Sequence, residues 1–105
     1  MIKFFFTKKD YIEIINIKGH SFYENKGKDI VCASVSTSII VTLNAIEILD
    51  LKKNVFFKLK EGNFYLKVLK FDFIVDKLLL NLEYSLMELS KNYPKNLKKT
   101  QIKNF

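Results

Sequence analysis

The sequence predicts a two-layer α+β domain, with two helices packed on a mostly antiparallel sheet in the order strand, strand, helix, strand, strand, helix. Three observations carry this. Two Phe-containing apolar segment pairs are each split by a short polar turn, an uncharged stretch runs from Ile30 to Ile46, and a helical stripe from Val75 to Tyr93 ends at Pro94.

The first pair is "IKFFFT" and "YIEIINIK", divided by the charged turn "KKD", and reads as an antiparallel hairpin. Ile12 and Ile14 share one parity while Ile15 and Ile17 fall on the other, which requires a bulge or a strand buried on both faces. After the polar loop from Gly19 to Lys28, a helix from about Asp29 to Leu49 is marked by Val31, Val35, Ile39, Ile46 and Leu49 at helical spacing, with Asp29 as N-cap. The uncharged stretch reaches the lower limit for a membrane span. Its Ser34, Ser36, Thr37, Ser38, Thr42 and Asn44 are costly in lipid, so the expectation is a helix buried in protein on more than one side, and no membrane.

The second pair, "NVFFKLKEGNFYLKVLKF", turns at Glu61-Gly62-Asn63, with Val55, Phe57 and Leu59 opposite in parity to Phe56, Lys58 and Lys60. The second helix carries Val75, Leu79, Leu82, Leu86, Leu89 and Tyr93 on one face, and Pro94 stops it. The tail "KNLKKTQIKNF" offers a final edge strand.

A chain of 105 residues that is 49% hydrophobic supports one modest core, so residues 1–105 read as a single domain. One cysteine makes no internal disulfide, and the opening "MIKFFFTKKDY" has too short an apolar run for an export signal; the expected setting is the reducing cytoplasm. The net charge of +7 comes entirely from lysine. Without arginine the chain lacks the planar fork for bidentate recognition of bases or phosphates. The expectation is therefore a solvated lysine-rich surface without a dedicated nucleic-acid site, with which a weak affinity for ribosomal RNA is compatible.

The chemistry gathers in "GHSFYENKGKDIVCASVS", which holds the only histidine, His20, and the only cysteine, Cys32. With a helix starting near Asp29, Cys32 lies in its first turn, where free N–H groups and the helix dipole favour a thiolate. His20 closes the second strand, and an imidazole there can take the thiol proton and return it to a leaving amine. Backbone N–H groups at the same helix start offer a place for an oxyanion. Taken singly, a lone cysteine in an apolar helix is ordinarily a small core residue and a lone histidine ordinarily structural; the pairing makes them candidates. No zinc spacing, phosphate loop or identifiable pair of catalytic carboxylates appears, and neither metal nor cofactor is expected.

Gly19-His20, a gap, then "GKDIVCASVS" resembles the signature of the ribosomal-processing cysteine proteases of the Prp family, with Gly19, His20, Gly27, Asp29, Ile30, Val31, Cys32, Ala33 and Ser36 in matching order and spacing. Ser21 and Ser34 depart from it, standing where the family commonly has Ala, and Ala or Gly. The resemblance implies a small homodimeric α+β endopeptidase that removes the N-terminal extension of bacterial large-subunit ribosomal protein twenty-seven. It implies Cys32 as nucleophile and His20 as base and proton donor, supported by Gly19, Asp29 and Ser36. Asp29 then caps the helix and orients His20 or the loop, and Ser36, one turn beyond Cys32, either faces the thiol or bonds back to the carbonyl of Cys32. The loop carrying Phe22, Tyr23 and Gly27 is expected to close over an extended peptide. The alternatives are a small basic ribosome-associated binding module with an inert Cys and His, and a homodimeric structural adaptor.

Overall fold

The computed structural model describes residues 1–25 and 29–101. Its elements follow the predicted order: β1 (Ile2–Lys8), β2 (Ile12–Gly19), α1 (Ile30–Ile48), a short 3-10 turn (Lys52–Asn54), β3 (Val55–Lys60), β4 (Asn63–Val68), α2 (Phe73–Asn92) and β5 (Leu97–Lys99). The strands form one sheet in the order β3-β4-β2-β1-β5. All pairings are antiparallel except β1 with β5, so the tail does form an edge strand and makes the sheet mixed.

The parity conflict in β2 resolves as a bulge. The β1–β2 register shifts between Thr7 and Lys8, so that Thr7 faces Ile14 and Lys8 faces Ile12. That shift lets Ile12, Ile15 and Ile17 all reach the core, while Asp76 in the first turn of α2 accepts the N–H of Ile12 at 3.0 Å. With Phe4, Phe6, Phe64 and Leu66 these isoleucines form the inner face of the sheet, and Val31, Val35 and Ile39 of α1 and Val75, Leu79, Leu82 and Leu86 of α2 cover it. Glu83 of α2, only 6% exposed, pairs with Lys8 at 2.5 Å and Lys99 at 3.4 Å, fastening the helix to β1 and β5.

α1 is long and apolar enough, by length and composition, to cross a membrane, yet Val31, Val35, Ile39, Thr42 and Ile46 bury one face of it in the domain. The expectation of burial on several sides is corrected here. Ile30, Ile40, Val41 and Ile48 lie on the outer face, with Val41 60% and Ile48 83% exposed. Ser34, Ser38 and Thr42 return their hydroxyls to the carbonyls of Ile30, Ser34 and Ser38, which is how so polar a stretch is tolerated within an apolar helix.

The opposite face of the sheet carries no helix among the described residues. The strand registers align it in rows: Lys98, Lys3, Lys18, Asn63 and Lys60 across β5, β1, β2, β4 and β3; then Phe5, Asn16, Tyr65 and Lys58; then Thr7, Ile14, Lys67 and Phe56.

Candidate active site

The site lies where the end of β2, the start of α1 and the β3–β4 turn meet. Gly19 closes β2 at φ +110, and a Cβ there would stand 2.2 Å from the carbonyl oxygen of Met1, so only glycine admits this approach. The terminal amine of Met1 donates to the carbonyl of His20, and the Gly19 N–H donates to the Gly62 carbonyl at 3.0 Å. Gly62, at φ +72 in the two-residue turn, lies under the imidazole: a Cβ there would approach His20 Nε2 to 2.8 Å. Gly62 thus makes room for His20, whose exposed ring stands 6.1 Å from that of Phe22, while Gly19 makes room for the chain start at Met1.

Asp29 builds the other half. Its Oδ1 accepts the N–H groups of Val31 and Cys32, each at 3.0 Å, and so caps α1. Its Oδ2 gathers the loop, accepting the Ser21 hydroxyl, the Tyr23 N–H at 3.1 Å and the Glu24 N–H at 3.4 Å. Burial pushes the carboxyl upward, but the hydrogen bonds from Ser21 and from the N–H groups of Cys32, Glu24 and Tyr23 outweigh it and hold the pKa at about 2. Asp29 therefore orients the loop; among the described residues it makes no bond to His20.

Cys32 is half-buried, held by Ser21 on both sides: the Ser21 N–H points to Sγ at 3.4 Å and the Ser21 hydroxyl lies 3.2 Å from it. Because the ionised Asp29 accepts the hydroxyl proton, the Ser21 oxygen is left to accept from the thiol. The resting chain is thus thiol to Ser21 to Asp29. Ser21, 1% exposed, is further pinned by Asn96, whose amide donates to the Ser21 carbonyl at 2.9 Å. Sequence reasoning passed over Ser21 as a mere departure from a pattern. Its signal was a hydroxyl adjoining His20 and facing a helix start that already held a cysteine.

The expected oxyanion site at the start of α1 is corrected by the same geometry. The Val31 and Cys32 amides are engaged by the Asp29 carboxylate, and that of Ala33 donates to the Asp29 carbonyl at 3.1 Å.

His20 and Cys32 border one cleft of about 470 Å³, together with Gly19, Phe22, Asp29 and Ser36. Imidazole and thiol are not hydrogen-bonded to each other. Ser36 is exposed on the cleft wall, and among the described residues its hydroxyl makes no hydrogen bond. Tyr23 turns away, packing edge-on against Tyr93 with centroids 5.3 Å apart. Gly27 lies outside the described residues. Among the described residues no group of three His, Cys, Asp or Glu side chains is placed to hold a metal ion.

A cysteine and a histidine on one cleft admit several chemistries, and comparison with known proteins decides among them. The family model for cysteine protease Prp matches residues 1–98. The chain belongs to that family. The fold agrees. The ribosomal processing protease Prp of S. aureus, in complex with a covalently linked product peptide, superposes with a TM-score of 0.86 at 23% identity over 95% of this chain and 98% of that one. The same protease with a substrate peptide gives 0.77 at 22% identity over 95% and 98%. SMU.848 from Streptococcus mutans gives 0.72 at 26% over 95% and 92%. No curated protein matches the sequence. As a member of the Prp family the chain is a cysteine protease.

Proposed function

We propose that this Prp-family protease uses Cys32 as nucleophile and His20 as proton carrier to remove the N-terminal extension of large-subunit ribosomal protein twenty-seven, in the cytoplasm. The observation that carries the reading is the shared cleft: the one thiol and the one imidazole of the chain open on the same 470 Å³ hollow without being bonded to each other. A peptide laid through that cleft has its scissile carbonyl within reach of Sγ and its amide nitrogen within reach of the imidazole. As Sγ adds to the carbonyl carbon, the thiol proton passes to His20 and then to the departing amine. The C–N bond breaks, a thioester remains on Cys32, and water hydrolyses it with His20 taking and returning the proton. Phe22, exposed on the cleft rim, offers an apolar contact to the substrate, and Ser36 a hydroxyl on the cleft wall.

The S. aureus relative is described with a covalently linked product peptide, which accords with an acyl-enzyme route here. The outer face of α1, apolar and uncharged from Ile30 to Ile46, suits association with a second copy, and the active form is taken as a homodimer. The decisive experiment is incubation of a synthetic peptide spanning the extension with wild type, Cys32→Ala and His20→Ala, read by mass spectrometry. Cutting at one bond by wild type alone is the expected result; cutting that survives in Cys32→Ala would overturn the assignment.

A further inference from the structure

The lysines of this chain are not spread evenly between the two faces of the sheet. On the helix side, Lys8 and Lys99 are paired with Glu83. On the open side the registers collect Lys3, Lys18, Lys58, Lys60, Lys67 and Lys98, and no Asp or Glu occupies any registered position; Glu13 sits in the bulge and Glu61 at the hairpin tip. Interleaved with them are three aromatic rings, Phe5, Tyr65 and Phe56. Phe56 is 45% exposed, Tyr65 packs beside it with centroids 6.4 Å apart, and the Lys58 ammonium lies 6.0 Å over the Phe56 ring.

We propose that this open sheet face is a binding platform for single-stranded RNA. Neighbouring strands lie about 4.8 Å apart, so the row from Lys98 to Lys60 crosses five strands and spans about 19 Å, enough to follow several phosphates of an extended strand. Lysine serves phosphates as a point charge and needs no bidentate geometry, so the lack of arginine limits base recognition but not backbone tracking. Phe56, 45% exposed, and Tyr65, inclined at 64° to it, offer aromatic surface to unstacked bases, whose faces a duplex keeps stacked. A second copy of the chain fits poorly on this face, because a two-fold contact would set one lysine array against another, whereas the outer face of α1 carries no such charge. Lys60 and Asn63, at the end of the first row, also border the cleft of His20 and Cys32, so the platform runs up to the site of cleavage. The choice of RNA over DNA rests on the ribosomal-processing reading.

The test uses fluorescence anisotropy of a labelled twelve-nucleotide oligo(U), with a DNA strand of equal length, an RNA duplex and phosphatidylserine vesicles as competitors. One variant removes charge from the face (Lys3→Gln, Lys58→Gln and Lys67→Gln together), a control removes the same charge elsewhere (Lys70→Gln, Lys77→Gln and Lys91→Gln), and a third is Phe56→Ala with Tyr65→Ala. The face variant is expected to weaken RNA binding roughly tenfold or more and to flatten its salt dependence by about two in log–log slope, from about 0.7 per phosphate contact released. The control should change affinity less than about twofold, and the aromatic variant should lose roughly tenfold for single strands while leaving duplex binding unchanged. Equal losses in the face and control variants would reduce the effect to net charge and overturn the platform. Equal competition by the RNA duplex or by vesicles would overturn it as well, and tighter binding of the DNA strand would overturn the choice of RNA. Peptide cleavage by the same variants stays at the wild-type level if folding is intact. A failure here thus leaves the protease reading standing, and a failure of cleavage in all proteins leaves the binding result standing.

Discussion

Asp29 and Asp72 open the two helices of this domain with the same local geometry. Asp72 accepts the N–H groups of Ile74 and Val75 through Oδ1 at 2.9 and 3.0 Å, as Asp29 accepts those of Val31 and Cys32. There the likeness ends. Only Asp29 turns its second oxygen on a loop, and only beside Asp29 does the first turn hold a cysteine. The pairing separates two tasks that one residue type performs: satisfying the orphan amides of a helix, which Asp72 shows in isolation, and clasping a distant segment against that helix, which Asp29 adds. The clasp brings Ser21, and with it the strand end that carries His20, up to Cys32.

Replacing each cap by alanine should widen the difference most. Asp72→Ala is expected to lose about 1 kcal/mol, the ordinary worth of an N-cap, and to cleave peptide as wild type does. Asp29→Ala should lose about 2–4 kcal/mol, because the cap goes and the 1%-exposed Ser21 hydroxyl loses its acceptor, and cleavage should fall with it. Urea unfolding measures both losses.

Asparagine sharpens the distinction further. It caps a helix almost as well as aspartate, so Asp72→Asn should shift stability by only a few tenths of a kcal/mol. At position 29 the amide keeps the cap but turns an NH₂ toward the Ser21 hydroxyl and the Tyr23 and Glu24 N–H groups, three donors facing a donor. A loss of about 1–3 kcal/mol is expected from those unsatisfied groups.

The two proteins should also part in acid. The folded pKa of Asp29, about 2, lies below its ordinary value of 3.8, so its contribution to stability is complete above about pH 4 and is lost as the pH falls through 2. Unfolding midpoints taken between pH 5 and pH 2 should decline more steeply for wild type than for Asp29→Asn. Parallel declines would show that the clasp carries no ionic component.

A small effect on stability, and the most telling one for chemistry, belongs to Ser21→Ala. It removes the acceptor that keeps the thiol proton on the Asp29 side while sparing the Ser21 N–H that points at the sulfur. Alkylation of Cys32 by iodoacetamide at pH 7 should quicken several-fold, with a stability change of about 1 kcal/mol or less. Slower alkylation would mean that the hydroxyl donates to the sulfur instead.

Much of this frame is legible in the sequence because it rests on local rules. The stripe from Val75 to Tyr93, the stop at Pro94, the Glu61-Gly62 turn and the Asp29 cap each follow from spacing or from one residue's conformational habit. The parity conflict in β2 announced its bulge, though not the Asp76 carboxylate that completes it. What stayed hidden depends on residues that meet only after folding. α1 carries large apolar side chains on its outer as well as its inner face, so its pattern could not say which face the domain leaves uncovered. The engagement of the Val31 and Cys32 amides by their own cap follows from the orientation of one carboxylate, which no spacing encodes. The lysines of the open sheet face lie on five strands scattered from Lys3 to Lys98, and only the cross-strand registers set them side by side.

The central claim is that Cys32 carries the acyl group during cleavage. It is tested most directly by quenching the reaction with the extension peptide in acid within the first turnovers and weighing the intact protein. The account predicts a fraction heavier by the fragment on the N-terminal side of the cut, sensitive to hydroxylamine as a thioester is, mapped to Cys32 and missing in Cys32→Ala. Peptide cut at the wild-type rate by Cys32→Ala, with no adduct on any protein, would contradict it.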